Sequence, residues 1–251
     1  MRFEELFPKG KPIIGMIHLK GTDHADKLSR AKLEADMLIA CGVDALMIEN
    51  FYGDAEDVEN TLRWLHAERP KYCYGVNVID EPNLSCDLAE KYGAKLVQIN
   101  SVCGHLNAEE DKLFEKEGLS RREGGSFLLL GGVHFGGKEV LSGRSLSEDI
   151  KLGMERCDAI VVTGSRIGVG IETDKIREFH KVNKIFPIIV GAGVTTETAK
   201  EKLFVADGAI VGSAFKDNGK PDGEVSEQAV KEFMDIVISF RSALYMLRRL
   251  S

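Results

Sequence analysis

Eight short apolar runs recur along this chain, each followed by a charge-rich segment, and that alternation limits the fold more than any other feature. The runs are IIGMIHL from Ile13, DALMIEN from Asp44, YGVNVID from Tyr74, AKLVQIN from Ala94, FLLLGGVH from Phe127, DAIVVTG from Asp158, FPIIVGAG from Phe186 and DGAIVGS from Asp207. Most are near-continuous Val, Ile and Leu, the pattern of parallel strands covered on both faces. The segments between them, such as DKLSRAKLEADMLIACG and TDKIREFHKVNK, read as amphipathic helices. Alternation of this kind implies a parallel sheet. Eight units in 251 residues predict one domain over 1–251, a single (β/α)8 TIM barrel, with an open doubly wound sheet as the competing architecture.

An internal echo supports closure. GVDALMIEN, YGAKLVQIN, RCDAIVVTG and VADGAIVGS share a helix end, a small or acidic residue and an apolar strand, and they open strands two, four, six and eight. From Asp44 to Lys95 is 51 residues, from Lys95 to Asp158 is 63, and from Asp158 to Asp207 is 49, about two strand–helix units each. The long middle interval contains a polar, glycine-bounded stretch, 101–126, which reads either as a fourth helix around Ala108 to Glu117 with surface loops or as a lid insertion after strand four. The last helix, SEQAVKEFMDIVISFRSALYMLRRL, carries Phe233, Val237, Phe240, Leu244 and Leu247 on one edge; it is expected to close the barrel and to offer a homo-oligomer contact.

Composition removes several function classes. The net charge of −7 leaves no basic face to replace counterions on phosphates, so nucleic acid is not an expected partner. Five scattered cysteines with no C-x-x-C pair and no metal-ligand spacing read as reduced, mostly buried thiols. The N-terminal MRFEELFPKGKP lacks a signal-peptide core, and no apolar run approaches the roughly 20 residues that span a bilayer. A cytoplasmic protein without a transmembrane segment is expected.

In a barrel of this type chemistry gathers at the C-terminal strand ends. Those ends carry His18, Glu49, Asn50, Asn77, Asp80, Gln98, Asn100, His134 and Thr163. Two histidines and a carboxylate facing one mouth suit acid–base work, with Glu49 as base, His18 or His134 as acid partner, and Asn50, Asn77, Asn100 and Thr163 holding substrate. Each also has a structural role open to it: Glu49 can pair with a lysine, the histidines with a carbonyl, the asparagines can tie loops, and Asp80 can cap the third helix. A divalent metal could be held by Glu49, His18 and His134, but no ligand spacing demands one, and no cofactor is predicted.

The most specific signal lies in PIIVGAGVTTETAKEKLFVADGAIVGSAFK, where strands seven and eight both end at glycine. Without a Cβ, a ligand can reach the backbone N–H groups closely. Gly191, Ala192, Gly193 and Val194 form one lobe of an expected phosphate site, and Gly212 with Ser213 the other. Thr195 and Thr196 read as a helix N-cap, and Lys216 as a charge partner.

The chain resembles the BtpA/SgcQ family in IGMIHL, GVDALMIENFYGD, GVNV, LVQIN, DAIVVTGSRIGVG and the closing block from Ile188 to Gly219. GAGVT followed by ADGAIVGS alone is shared with many phosphate-binding barrels. The resemblance implies a ribulose-phosphate-binding-type TIM barrel. It is similar over nearly the whole chain and departs at mouth loops: KGTDHADKLSR stands where relatives carry a proline-rich loop, and the fifth strand ends GGVHFGGK. Two functions are expected on these grounds. One is an enzyme acting on a small phosphorylated metabolite, a sugar or nucleoside phosphate, by isomerase, lyase or glycosidic-cleavage chemistry. The other is a non-catalytic assembly factor of the BtpA type, docking on a membrane protein complex.

Overall fold

In the computed structural model, which describes residues 2–164 and 170–250, the strands close into one parallel barrel in the order of the chain. The 165–169 part of the sixth-strand motif lies outside the described residues. The strands are β1 Ile13–Ile17, β2 Ala45–Glu49, β3 Tyr74–Asn77, β4 Leu96–Cys103, β5 Leu128–Val133, β6 Ala159–Val162, β7 Ile188–Val190 and β8 Gly208–Val211. Strand β1 pairs with β8, so no edge is left exposed. The helices are α1 Phe3–Leu6, α2 His24–Ala40, α3 Ala55–Glu68, α4 Pro82–Tyr92, α5 Ala108–Leu113, α6 Leu119–Gly124, α7 Leu146–Arg156, α8 Thr173–Val182, α9 Ala199–Val205 and α10 Glu227–Leu250.

Local chemistry sets several boundaries. Helix α3 starts where Asp54 and Asp57 cap each other's backbone N–H, and α7 starts at the same device built from Ser145 and Glu148. Pro82 opens α4, and Gly93 ends it in the left-handed conformation at φ +70°. Asp80 does not cap α4. Glu81 takes the N-cap position, and Asp80 instead faces Lys138 across the loops, 3.3 Å apart.

The internal echo has a physical origin. The carboxylates of Asp44, Asp158 and Asp207 accept hydrogen bonds from the backbone N–H of Ile13, Leu129 and Ile188, each the foot of the neighbouring strand. An acidic residue before strands two, six and eight therefore pins the start of strands one, five and seven, and so sets register at the closed end of the barrel.

Two apolar cores result. The larger lies between the strands and the helices. The smaller fills the barrel, with Ile14, Met16, Met47, Leu130, Val161 and Ile210 pointing inward over Phe3 and Phe7, which α1 lays across the bottom. Within the segment 101–126 the chain is helical from Ala108 to Gly124. Strand β4 runs on to Cys103, and α5 and α6 are joined by a π-helical turn at Phe114–Gly118 that buries Phe114. Asp111 on α5 accepts from Arg156 and Arg144, which anchors this segment to α7. On α10, Val230, Phe233, Met234 and Val237 cover the barrel, while Ile238, Tyr245 and Leu247 are exposed.

Candidate active site

Period-two alternation along the strands decides which residues reach the mouth. On β1 the inward positions are Ile14 and Met16, and the next is His18; on β2 they are Ala45 and Met47, and the next is Glu49. The same phase brings Asn77, Gln98, Asn100, Thr163, Gly191 and Gly212 to the inner face at the C-terminal ends. Most of them line one cavity of about 770 Å³, which takes in His18, Glu49, Gln98, Asn100 and Thr163 together with the backbone from Gly191 to Val194 and at Gly212–Ser213. Asn77 stands just behind Glu49 in the adjoining wall.

Glu49 is buried, and burial raises its carboxyl from 4.5 to about 7 against the opposing hydrogen bond from Asn77. Asn77 Nδ2 donates to Glu49 Oε2 at 2.6 Å and to Asn100 Oδ1 at 3.2 Å, and Gln98 Nε2 donates to the same Asn100 oxygen at 3.0 Å. The carboxylate thereby orients a line of three amides: Asn77 must turn its NH2 toward Glu49, and the Asn100 oxygen accepts from both Asn77 and Gln98.

This burial has a measurable pH consequence. The folded-state value lies above the unfolded one, so Glu49 favours folding below pH 4.5, and that contribution is lost as the pH rises through about 7. The Glu49→Gln variant is expected to gain stability relative to the parent across that window, by roughly 3 kcal/mol at the plateau. Urea unfolding of both proteins at pH 5 and pH 8 checks this, and an equal difference at both pH values would contradict it.

His18 is the second titratable group in the cavity. Burial, reinforced by the charge of nearby Lys216, lowers it to about 4, so the imidazole is neutral at physiological pH. Its Nδ1 has no hydrogen-bond partner among the described residues, and its ring packs edge-on to Phe51 at 5.5 Å. A Cβ at Gly212 would stand 2.7 Å from His18 Cε1, so only glycine fits while the ring holds this position. Gly193, at φ +69°, turns the β7 loop in the conformation glycine prefers.

Some expected residues are not brought to the cavity. His134 has the inward phase, but its backbone turns to φ +49° and the ring swings out, Nε2 2.8 Å from Asp149 Oδ2. Burial raises the Asp149 carboxyl, but hydrogen bonds from Arg144, His134 and Ser142 outweigh it and hold the carboxylate low, and His134 is held by this hydrogen-bonded cluster. Asn50 is out of phase, and its Oδ1 accepts from Ile79 N at 2.7 Å. The Thr163 hydroxyl lines the cavity but already accepts from Gly136 N at 2.6 Å. Lys216 is buried against Glu34, 2.6 Å away, behind the cavity rather than within it. Helix α9 starts at Ala199, later than Thr195 and Thr196, and a three-residue 3-10 turn, Ser213–Phe215, follows β8. Contributors missed in the sequence include Phe51, two residues beyond Glu49, and Lys220, carried by the glycine-rich KDNGKPDG loop. With His134 turned away, the three-ligand metal set is not assembled. The one His/Asp cluster with ligand-like spacing among the described residues, His24, Asp54 and Asp57, already pairs internally and with Lys27.

The BtpA family model matches residues 68–239, more than half of the chain. The chain belongs to the BtpA family. As a BtpA-family protein it is 26% identical to an uncharacterised protein of Thermococcus kodakarensis over 93% of this chain and 97% of the relative. It is 23% identical to the photosystem I biogenesis protein BtpA of Synechocystis, over 92% of this chain and 89% of the relative. Among solved structures it is similar to (S)-3-O-geranylgeranylglyceryl phosphate synthase from Thermoplasma acidophilum in complex with sn-glycerol-1-phosphate. The TM-score there is 0.61, at 14% identity over 94% of this chain and 98% of that one, a likeness of fold. No helix among the described residues of this BtpA-family chain is long and apolar enough to cross a membrane.

Proposed function

We propose that this BtpA-family barrel is an enzyme acting on a small phosphorylated metabolite by acid–base chemistry. The carrying observation is that Glu49, buried and raised to about 7, opens into the same cavity as the glycine endings of β7 and β8. A carboxyl poised near neutrality suits proton abstraction. The phosphate sits against the backbone at Gly191–Val194 and Gly212–Ser213, with Lys220 supplying charge from the loop. Glu49 takes the proton, Asn77 positions it, and neutral His18 donates a hydrogen bond to the substrate oxygen that gains charge. Isomerisation, carbon–carbon cleavage and glycosidic cleavage all need this pair of proton events, and the phosphate-bearing neighbour in the Thermoplasma complex is consistent with such a ligand.

Ser213→Asp tests the phosphate lobe by placing a carboxylate where the phosphate oxygens would lie. Saturating ribose 5-phosphate or glycerol 1-phosphate is expected to raise the melting temperature of the parent by roughly 5–10 °C, from about 2.7 kcal/mol of linkage at a hundredfold excess over Kd. The same ligands should move Ser213→Asp by less than about 1 °C on that scale. If no phosphate ester stabilises the parent, the reading loses its support.

A second reading, a non-catalytic assembly factor, draws on the printed role of the Synechocystis relative and on exposed Ile238, Tyr245 and Leu247 along α10. A cellular phenotype of gene deletion that is rescued fully by Glu49→Gln but not by charged substitutions at Ile238 and Leu247 would favour it.

A further inference from the structure

A second cavity, of about 420 Å³, adjoins the first at the ends of β3 and β4 and beneath α5 and α6. The two share Asp80, Gln98, Asn100 and Lys138 as lining residues, so the amide line attached to Glu49 forms their common wall. The Asp80–Lys138 ion pair stands at that border. The second cavity plays no part in the phosphate reading.

Its chemistry is specific. Val78, Pro82, Ile99, Leu106 and Phe114 make much of the lining apolar. Its charged lining is mixed and largely paired: Arg121 and Lys138 already meet Asp87 and Asp80, and Asn83 donates to Glu117. Glu110 and Glu117 stand at the α5–α6 side. In the wall residues, Gln98 Oε1, Ser101 Oγ and His105 Nε2 have no hydrogen-bond partner among the described residues. His105 Nδ1 lies 2.7 Å from the Glu139 carbonyl oxygen, which makes that nitrogen the donor and leaves Nε2 a bare acceptor. Gln98 Oε1 is likewise an acceptor, because its NH2 is committed to Asn100. Buried acceptors without donors are costly, and a ligand carrying N–H groups relieves that cost after small side-chain rotations. A hydroxyl-rich chain fits poorly, since an apolar wall would leave most of its hydroxyls unpaired.

We infer that the second cavity holds a flat nitrogen heterocycle of nucleobase type, bearing N–H donors, while its phosphate occupies the first cavity. The inference rests on the phosphate reading for the second half of that statement only. It narrows the substrate class from phosphorylated metabolites in general to nucleoside phosphates or closely similar ring-bearing esters.

Isothermal titration calorimetry with adenosine, cytidine and guanosine 5′-monophosphates, ribose 5-phosphate and the free nucleosides tests it on the full chain. At least one nucleotide is expected to bind ten-fold or more tighter than ribose 5-phosphate. His105→Leu should erase that advantage and leave ribose 5-phosphate unchanged. Leu113→Trp, which fills the cavity from a half-exposed position and so carries little folding risk, should do the same. Equal binding of ribose 5-phosphate and every nucleotide overturns the inference, as does a nucleotide advantage that survives Leu113→Trp. If Ser213→Asp leaves ester binding intact, the phosphate reading fails alone. Free-nucleoside binding that is lost in Leu113→Trp then still supports the ring cavity, and its absence overturns it.

Discussion

Glu49→Gln is expected to reduce kcat by about 10²–10⁴-fold, the usual worth of a positioned general base, on any phosphate ester that stabilises the parent. KM should change far less. Gln is nearly isosteric and its carbonyl oxygen can still accept from Asn77 Nδ2, now 2.6 Å from the carboxylate, so the amide line and the cavity are preserved. The effect should therefore isolate the proton acceptor. The pH–rate profile offers a second readout: with Glu49 raised to about 7, kcat/KM should climb from pH 5 and level off above pH 8. His18 is lowered to about 4 and stays neutral across that range, so it should contribute no inflection there. Turnover unchanged by Glu49→Gln would remove Glu49 as the base, and an inflection that persisted in the variant would assign it to another group.

The largest structural effect is expected from Gly132→Ala. Strand β5 passes so close to the β4 irregularity that a Cβ at Gly132 would lie 2.1 Å from the Asn100 carbonyl oxygen and 2.7 Å from its carbon. Both are backbone atoms, so relief requires the β4 main chain itself to shift. Overpacking of this kind costs typically 1–3 kcal/mol and here should reach the upper end or exceed it. For a chain of this length that corresponds to a fall of roughly 6–12 °C in melting temperature. Gly124→Ala provides the control, because nothing lies within 4 Å of its added Cβ; it should stay within about 0.5 kcal/mol of the parent. Because Asn100 is the residue displaced, Gly132→Ala should also loosen the amide line at the site. A melting temperature equal to that of the control would show that β4 and β5 can part without cost.

These two positions illustrate what could be read in advance. Glu49 was legible because β2 alternates cleanly and nothing interrupts its phase before the strand ends. Asn50, one residue on, points the other way for the same reason, and parity alone could have set it aside. His134 could not have been placed by parity. Its phase is inward, and only the left-handed turn at φ +49°, made to meet Asp149 and the Arg144 network, sends it out. Lys216 was read from adjacency to the glycine ending, whereas its partner Glu34 comes from a helix 182 residues away in sequence.

The sequence by itself determined the eight strand–helix units, the order of the barrel and the glycine endings of β7 and β8, because these follow from local periodicity and from the absence of a side chain. Tertiary structure alone decided which polar residues share a cavity, how far burial moves Glu49 and His18, and that a second, largely apolar cavity lies beside the first. Those outcomes depend on desolvation and on contacts between strands distant in sequence, and neither quantity is written in any single segment of the chain.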